Sequence, residues 1–409
     1  MNNPIHRGEE VAEVYQAQLA TAWQEITGEE PPEDFLREYY PRIDRYEFEA
    51  LGAKAMAGCA WDHLRTARRF TGTAPVVSLH NPEPGDADYT GNHTRIAIVV
   101  TDVRYLVSSV TAALSSTGYV IRRVHHPTLI TLRDSASPEQ FTVARKGLLH
   151  TDTQALPTLA EVDSPEARIP RRESWLLIDI DRIAPESFDG LAGALEHIIA
   201  VIRAAAADEA AMAERAHTLA ADLRERAPRP ELAAEAIESA DFLDWIDGRF
   251  AFMGYREYRL VEAGGSTRLE PVEGTALGIS ALRDTTVSPL SKSVSSHARD
   301  PHVLVLTKAN SRSQIIRRGF MDYLGVKVFD EAGEIVGERR FVGLYTAPMY
   351  NASVLDVPVL RAKVSWIMQH SGLLRDSHSG TELLGALESF PRDDMLQAEP
   401  QDVLDIVLT

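Results

Sequence analysis

The chain has 409 residues, 44% of them hydrophobic and 25% charged, which is enough apolar material for folded cores and enough length for two or three domains. Sixty acidic residues against 42 basic ones leave a net charge of −18, which excludes a general polyanion-binding surface and argues against nucleic acid as a partner. The single cysteine, Cys59, excludes an intramolecular disulfide and the multi-cysteine zinc patterns, and fits a reducing compartment.

The opening MNNPIHRGEEVAEVYQ lacks the basic start and apolar core of an export signal, and no apolar run reads as long enough to span a bilayer. The expectation is a cytoplasmic chain with no membrane partner. Val11, Tyr15, Leu19 and Ile26 recur at helical spacing until the GEEPP break at 28–32. A second helix is predicted from Tyr46, with Phe48, Leu51, Ala55, Gly58, Trp61 and Leu64 on one face, fading at 72–75. A loop rich in Pro, Gly and Asp over 81–91 closes a helical leader, taken as residues 1–90.

Residues 91–205 read as an α/β module. The run Ile96 to Val100 predicts a buried strand, and Asp102 stands where a helix can begin, with Val103, Leu106, Val110, Ala113 and Leu114 on one face until Gly118. Strand character resumes over 119–124, before His126-Pro127, and again over 175–180. Phe188, Leu191, Leu195, Ile198, Ile199 and Ile202 then mark the clearest amphipathic helix of the chain. Residues 206–247 predict a helical connector whose Ala, Glu and Arg composition suggests a solvent-facing rod, followed by a shorter helix up to Trp245.

From 248 to 350 the composition favours strand, with alternation over 250–260, an apolar run over 302–307, and a hairpin around Asp330 to Gly333. The tail, 351–409, is helical: Leu360, Val364, Ile367 and Met368 share a face, and Ser379 with Glu382 has the form of a capping box ahead of Leu383, Leu384 and Leu387. The fold class expected is α+β, built from several modules.

Chemical motifs are sparse. Neither a G-x-G-x-x-G after a strand nor a Walker pattern occurs, and the glycines at 274 and 278 read as a plain loop. His125 and His126 adjoin on a strand and so point to opposite faces, unable to share an ion. Cys59 falls within a helix without a base beside it and reads as a structural thiol. Asp179 and Asp181 flank Ile180 and read as strand-end solvent residues or caps. The residues from Lys308 to Arg318 form a basic concentration that can meet an anionic ligand or an acidic partner surface, or simply lie solvated. No catalytic, cofactor-binding or metal-ligating residue is assigned from these patterns.

Four stretches resemble, in order, the N-terminal region of the large NAD-dependent glutamate dehydrogenases: TDVRYLVSSV at 101–110 with the later His126-Pro127, LTKANSRS at 306–313, DYLGVKVFDEAGEIVGERRFVGLY at 322–345, and a tail over 360–394 containing SGLLRDSHSGTELLGALESFPRDD. The resemblance implies a non-catalytic regulatory or oligomerisation segment, with an ACT-like module at 91–205 and a PAS-like one at 248–350. The parent enzyme would oxidatively deaminate L-glutamate to 2-oxoglutarate and ammonia with NAD, the cofactor residing outside this segment. The implied partners are a second copy of the chain in a homo-oligomer, a downstream catalytic domain and an amino-acid effector. Amino-acid-binding ACT domains resemble one another in a glycine after the first strand, where this chain has Arg104-Tyr105. Effector or interface contacts are therefore sought at Asp102, Arg104 and Tyr105, and at Lys308, Arg312, Arg317 and Arg318. The alternative reading is a stand-alone amino-acid-sensing regulatory protein of ACT/PAS-like type.

Overall fold

The computed structural model describes residues 4–134, 137–144, 170–226, 228–263, 266–282 and 302–409. It combines helices with two antiparallel sheets, in agreement with the α+β expectation. The chain divides into two compact units, Met1–Arg203 with Gln314–Arg317, and Ala204–Ser313 with Arg318–Thr409.

The first unit begins with three helices, α1 (Pro4–Thr27), α2 (Phe35–Tyr39) and α3 (Arg45–Ala67). Asp44 caps α3 by accepting a hydrogen bond from the Glu47 amide, which satisfies one of the orphan N–H groups of its first turn. There follow β1 (Val76–His80), β2 (His93–Thr101), α4 (Leu106–Ser116), β3 (Ile121–His125), β4 (Thr128–Arg133), β5 (Phe141–Ala144), β6 (Pro170–Asp181) and α5 (Phe188–Ala207). The sheet runs β1-β2-β6-β4-β5, and β3 also pairs with β6. β3 and β4 lie end to end along β6, interrupted at His126-Pro127 because proline has no N–H for the ladder; the Pro127 carbonyl still accepts from the Trp175 amide at 3.0 Å.

β2 and β6 are central and buried on both faces, so their sequences show continuous apolar runs instead of alternation. Val99 pairs with Trp175 in register, and both pack in one core with Trp23, Phe35 and Tyr39 from the leading helices. Trp175 is ringed by Phe35, Tyr39, His63 and Phe141 at centroid distances of 5.1 to 6.2 Å. The alternate residues Ile96, Ile98, Leu176 and Ile178 point to the opposite face and are fully buried, and α4 and α5 bring buried stripes through Val110 and Leu114, and through Leu195, Ile199 and Ile202. Contrary to the sequence reading, one described helix, Pro185–Ala207, is long and apolar enough to cross a membrane by length and composition. Its alanines raise the mean hydropathy, while its buried stripe is that of a core helix.

The second unit opens with α6 (Glu209–Glu225) and α7 (Ala233–Trp245). Its sheet contains β7 (Phe250–Ala263), β8 (Ser266–Pro271), β9 (Leu277–Gly278), β10 (Leu304–Arg312), β11 (Phe320–Phe329) and β12 (Ile335–Tyr345), in the order β10-β11-β12-β7-β8 with β9 on β7. The chain ends in α8 (Ala347–Tyr350), α9 (Leu360–His370), α10 (His378–Ser389), α11 (Arg392–Gln397) and α12 (Pro400–Val407). A single core joins Phe252, Leu324 and Phe341 of the sheet to Phe242 of α7, Val364 and Ile367 of α9, Leu387 of α10 and Leu404 of α12.

Two local readings are corrected here. α6 is not a solvent-facing rod: Met212, Ala216, Ala220 and Leu223 form a buried stripe at helical spacing, and the two alanines let α7 approach through Ala236 and Ala240. The cap of α10 is Ser377, which accepts from the Gly380 amide, so Ser379 lies within the first turn. Phe341 has no solvent exposure and touches the rings of Phe252 and Tyr255 at 5.6 and 4.8 Å. Replacing Phe341 by alanine is expected to lower the stability of the second unit by about 3–5 kcal/mol, checked by the shift of its transition in calorimetry or urea denaturation.

Candidate functional site

Cross-strand register brings four polar residues into one row of the first sheet. His80 of β1 pairs with Arg95 of β2, Arg95 with Asp179 of β6, and Asp179 with Arg123 of β3. Directly paired residues share a face, so the row lies on the side that carries Val99 and Trp175. Arg95 is fully buried. Its Nε donates to Asp179 Oδ1 at 2.9 Å, its Nη1 to the Asp88 carbonyl at 2.6 Å and to Asp88 Oδ2 at 2.7 Å, and its Nη2 to Thr90 Oγ1 at 3.0 Å. Arg123 Nε reaches Asp179 Oδ2 at 2.9 Å, and its Nη2 donates to Cys59 Sγ at 3.4 Å.

The electrostatics follow from this geometry. Burial alone raises the Asp179 pKa, but the hydrogen bond from His93 and the charges of Arg95 and Arg123 outweigh it and hold the carboxyl well below the usual carboxylate range. Burial pushes the Cys59 thiol up, opposed by the same two guanidinium groups, so Cys59 is the structural thiol that its helical position suggested. Asp179 departs from the sequence reading: it is buried and paired, because the strand runs into the protein at that position. Asp181, half-exposed and bound to Arg122 at 2.5 Å, keeps the strand-end character expected of it.

His63 stands beside this row on α3. The Ile98 carbonyl can only accept, so His63 Nε2 carries the hydrogen at 3.1 Å and Nδ1 accepts from the Tyr39 hydroxyl at 2.9 Å. The neutral ring is therefore satisfied on both sides, and burial lowers its pKa to about 3. His125, whose Nε2 bonds the Tyr39 carbonyl at 3.1 Å, is likewise lowered by burial, to about 4. His126 instead bonds Ser174 Oγ at 3.1 Å, so the adjacent pair serves separate partners.

Asp102, Arg104 and Tyr105 share the turn between β2 and α4. Asp102 Oδ1 accepts from Ser174 Oγ at 2.5 Å, and Oδ2 lies 3.4 Å from Arg172 Nε. Asp102, Ser174 and His126 are thus joined, but the serine stands in the middle, is fully buried and gives its proton to the carboxylate, so it lacks the order of a nucleophilic triad. The helix starts at Leu106 with Tyr105 as its cap residue, three residues later than Asp102 suggested. Tyr105 has φ +67°, a left-handed conformation usually left to glycine, and Arg104 stacks on its ring at 5.2 Å.

The basic stretch is dispersed. Lys308 Nζ binds Asp322 Oδ1 at 2.5 Å and Asp393 Oδ2 at 2.7 Å. Arg312 lies over the Phe320 ring at 5.0 Å, and Arg318 is exposed. Arg317 belongs to the four residues that cluster with the first unit. The structure therefore unites Asp102, Arg104 and Tyr105, and does not gather the basic residues into one pocket of either unit. What the sequence reading missed is the Arg95–Asp179–Arg123 row, whose signal was a charge set inside an apolar strand, as in HTRIAIVV and LLIDID.

Family models match residues 35–195 to the glutamate dehydrogenase ACT1 domain and residues 357–409 to glutamate dehydrogenase helical motif 1. The NAD-specific glutamate dehydrogenase of Halomonas elongata is 29% identical over 348 residues, 83% of this chain and 20% of that protein. That of Pseudomonas aeruginosa is 28% identical over 403 residues, 96% of this chain and 24% of its own, and that of Mycobacterium tuberculosis 24% over 358 residues, 87% and 20%. With two glutamate dehydrogenase domains matched in order, the chain is similar to the N-terminal region of the large NAD-specific glutamate dehydrogenases. It spans between a fifth and a quarter of the length of these relatives.

The whole polar row falls within the glutamate dehydrogenase ACT1 range, as do His63 and the turn at Tyr105. Asp179→Asn leaves two buried guanidinium groups short of a counter-charge and is expected to cost about 3–5 kcal/mol, read from the urea midpoint at neutral pH. A second expectation concerns acid. Both histidine pKa values are depressed on folding, so the unfolded chain binds protons first and stability falls as pH drops below about 6.5. Asp179, also depressed, begins to lose its contribution only below about 3.9, so the loss above that pH reports the histidines. His63→Gln should flatten the stability-versus-pH slope between these limits; an unchanged slope contradicts the assignment.

Proposed function

We propose that this chain acts as a non-catalytic regulatory and assembly segment of a large NAD-specific glutamate dehydrogenase. The observation that carries the reading is the order of the two matches, an ACT1 domain at 35–195 and a helical motif at 357–409, on a chain that covers a fifth to a quarter of its relatives. On this reading the parent enzyme oxidises L-glutamate to 2-oxoglutarate and ammonia with NAD in the cytoplasm, and the cofactor is held by another part of the polypeptide. The partners are then a second copy of the chain and the downstream catalytic domain.

The geometry supports the reading in two ways. In the ACT1 unit the buried charges are matched by one another, a design that fixes strand positions and offers no reacting group to a substrate. In the second unit, the first strand β7 lies between β12 and β8, with β10 at the far edge, an order that supports a PAS-like module over 248–350. Among the described residues both sheets also end in edge strands by order, β1 and β5 in one and β8 and β10 in the other, which are elements through which copies can pair.

The turn at Asp102–Tyr105 favours a second reading, an amino-acid effector site, because a left-handed Tyr105 places backbone groups in a conformation that needs support from its surroundings. Three measurements separate these. The isolated chain with L-glutamate and NAD is expected to give no NADH; turnover sinks the non-catalytic reading. Light scattering is expected to give a multiple of 45.2 kDa, and a strict monomer removes the assembly role. Calorimetry against a panel of amino acids is expected to be silent, whereas a micromolar signal lost in Arg104→Ala transfers the assignment to a sensor.

A further inference from the structure

We propose that Asp62, His80 and Asp88 form a binding site for a divalent transition-metal cation of the zinc or manganese type. The three residues come from different parts of the ACT1 range: Asp62 from α3, His80 from the end of β1, and Asp88 from the connection between β1 and β2. Each offers one donor atom, and these atoms lie within 4.8 Å of one another; Asp62 and His80 Nδ1 face the ion, and Asp88 holds the far side of the imidazole. Among the described residues this is the group of His, Cys, Asp and Glu side chains that converges in this way.

The independent observation is an unsatisfied oxygen. Asp62 is 8% exposed; its Oδ1 accepts from Arg65 Nη2 at 2.6 Å, while Oδ2 is buried without a hydrogen-bond partner among the described residues. Such an oxygen is unfavourable unless something positive meets it. It lies 3.7 Å from His80 Nδ1, too far for a hydrogen bond but close to the separation of about 3–3.5 Å expected for two ligands that share an ion at about 2.0–2.2 Å. On the other side of the ring, His80 Nε2 is 2.8 Å from Asp88 Oδ2. A carboxylate on the far nitrogen orients an imidazole for metal binding and fixes its tautomer.

The surroundings hold these groups in place. Arg95 Nη1 bonds both the carbonyl and Oδ2 of Asp88, so the row that organises the sheet also positions this carboxylate. The connection presses on α3 at Gly58, where a Cβ would stand 2.3 Å from the Ala87 carbonyl carbon. His80 has a side chain 34% exposed, which provides an entry path. An imidazole nitrogen and a carboxylate oxygen, with water completing the shell, suit zinc or manganese better than soft thiolate-seeking ions, and better than magnesium, which prefers oxygen ligands alone. Cys59 is outside the set, since Arg123 occupies its sulfur.

The test uses the full chain after chelator treatment, titrated calorimetrically with zinc chloride and, separately, manganese chloride, with circular dichroism to confirm that each variant is folded. The expected result is one equivalent bound at micromolar concentration, and a melting temperature that rises with metal concentration. His80→Ala and Asp62→Asn should each weaken binding at least about tenfold, as loss of a ligand does. Cobalt loading should give visible bands without a thiolate charge-transfer band. No binding of either ion, which would leave a water on Asp62, overturns the proposal. So does binding unchanged in both variants, which would mark other histidines as the source, or a thiolate band that points to Cys59.

Discussion

A guanidinium group with no access to water must find all its partners inside the protein, and Arg95 imposes that requirement on the first unit. It stands in the central strand and is answered by Asp179 on one side and by Asp88 on the other. Asp179 in turn holds Arg123, and Arg123 reaches the sulfur of Cys59 on α3. Four elements are thereby fixed to one another by directional bonds, where apolar packing alone would tolerate sliding. A shift of β6 by one residue would turn Asp179 to the opposite face and strand both arginines, so the row specifies register as well as stability. The same constraint explains why the β1–β2 connection is ordered against α3: its Asp88 is required by Arg95.

The second unit uses the same principle on a different surface. Its helices cover one face of the sheet with an apolar core, in which α7, α9, α10 and α12 share Phe252, Leu324 and Phe341. On the alternate face, Lys327 and Glu338 are both nearly fully buried and meet at 2.7 Å, and Arg340 joins Glu338 at 2.9 Å while stacking on Tyr258 at 4.1 Å. Burial raises the Glu338 pKa, and the charge and hydrogen bond of Arg340 oppose that rise. Lys363 shows a third form of this economy of partners: its ammonium group bonds the carbonyls of Met395, Leu396 and Ala398 at the end of α11, and burial lowers its pKa to about 8.

These networks bear on the family assignment. A catalytic centre keeps polar groups aimed at a space that a substrate can enter. Among the described residues, the charges within each of the rows Arg95–Asp179–Arg123 and Lys327–Glu338–Arg340 are aimed at one another, an arrangement that fixes strand positions. The turn at Tyr105 differs, since it combines a left-handed residue with a stacked arginine at the mouth of a helix. The Asp62–His80–Asp88 group differs too, with a carboxylate oxygen that no described residue satisfies.

Much of the architecture was legible in the residues themselves. The amphipathic spacing of α3, α4 and α5, the apolar runs of β2 and β6 and the glycine loop of the β11–β12 hairpin are local signals, because helix and strand periodicity is written in adjacent residues. The resemblance at 101–110 and over 306–394 also pointed to the family whose domains the comparisons match. Other features came only with the tertiary structure. β4 is a short strand whose partner β6 lies about 40 residues further along, β5 pairs with β4 alone, and the burial of α6 depends on α7 and β7, not on its own Ala-rich composition. The charge of Asp179 looked like a strand end because its two arginines, Arg95 and Arg123, are 84 and 56 residues away. Sequence sets which residues want burial or a partner. Only the register of strands and the docking of helices decide which distant group supplies it, since those are long-range choices made by the whole core.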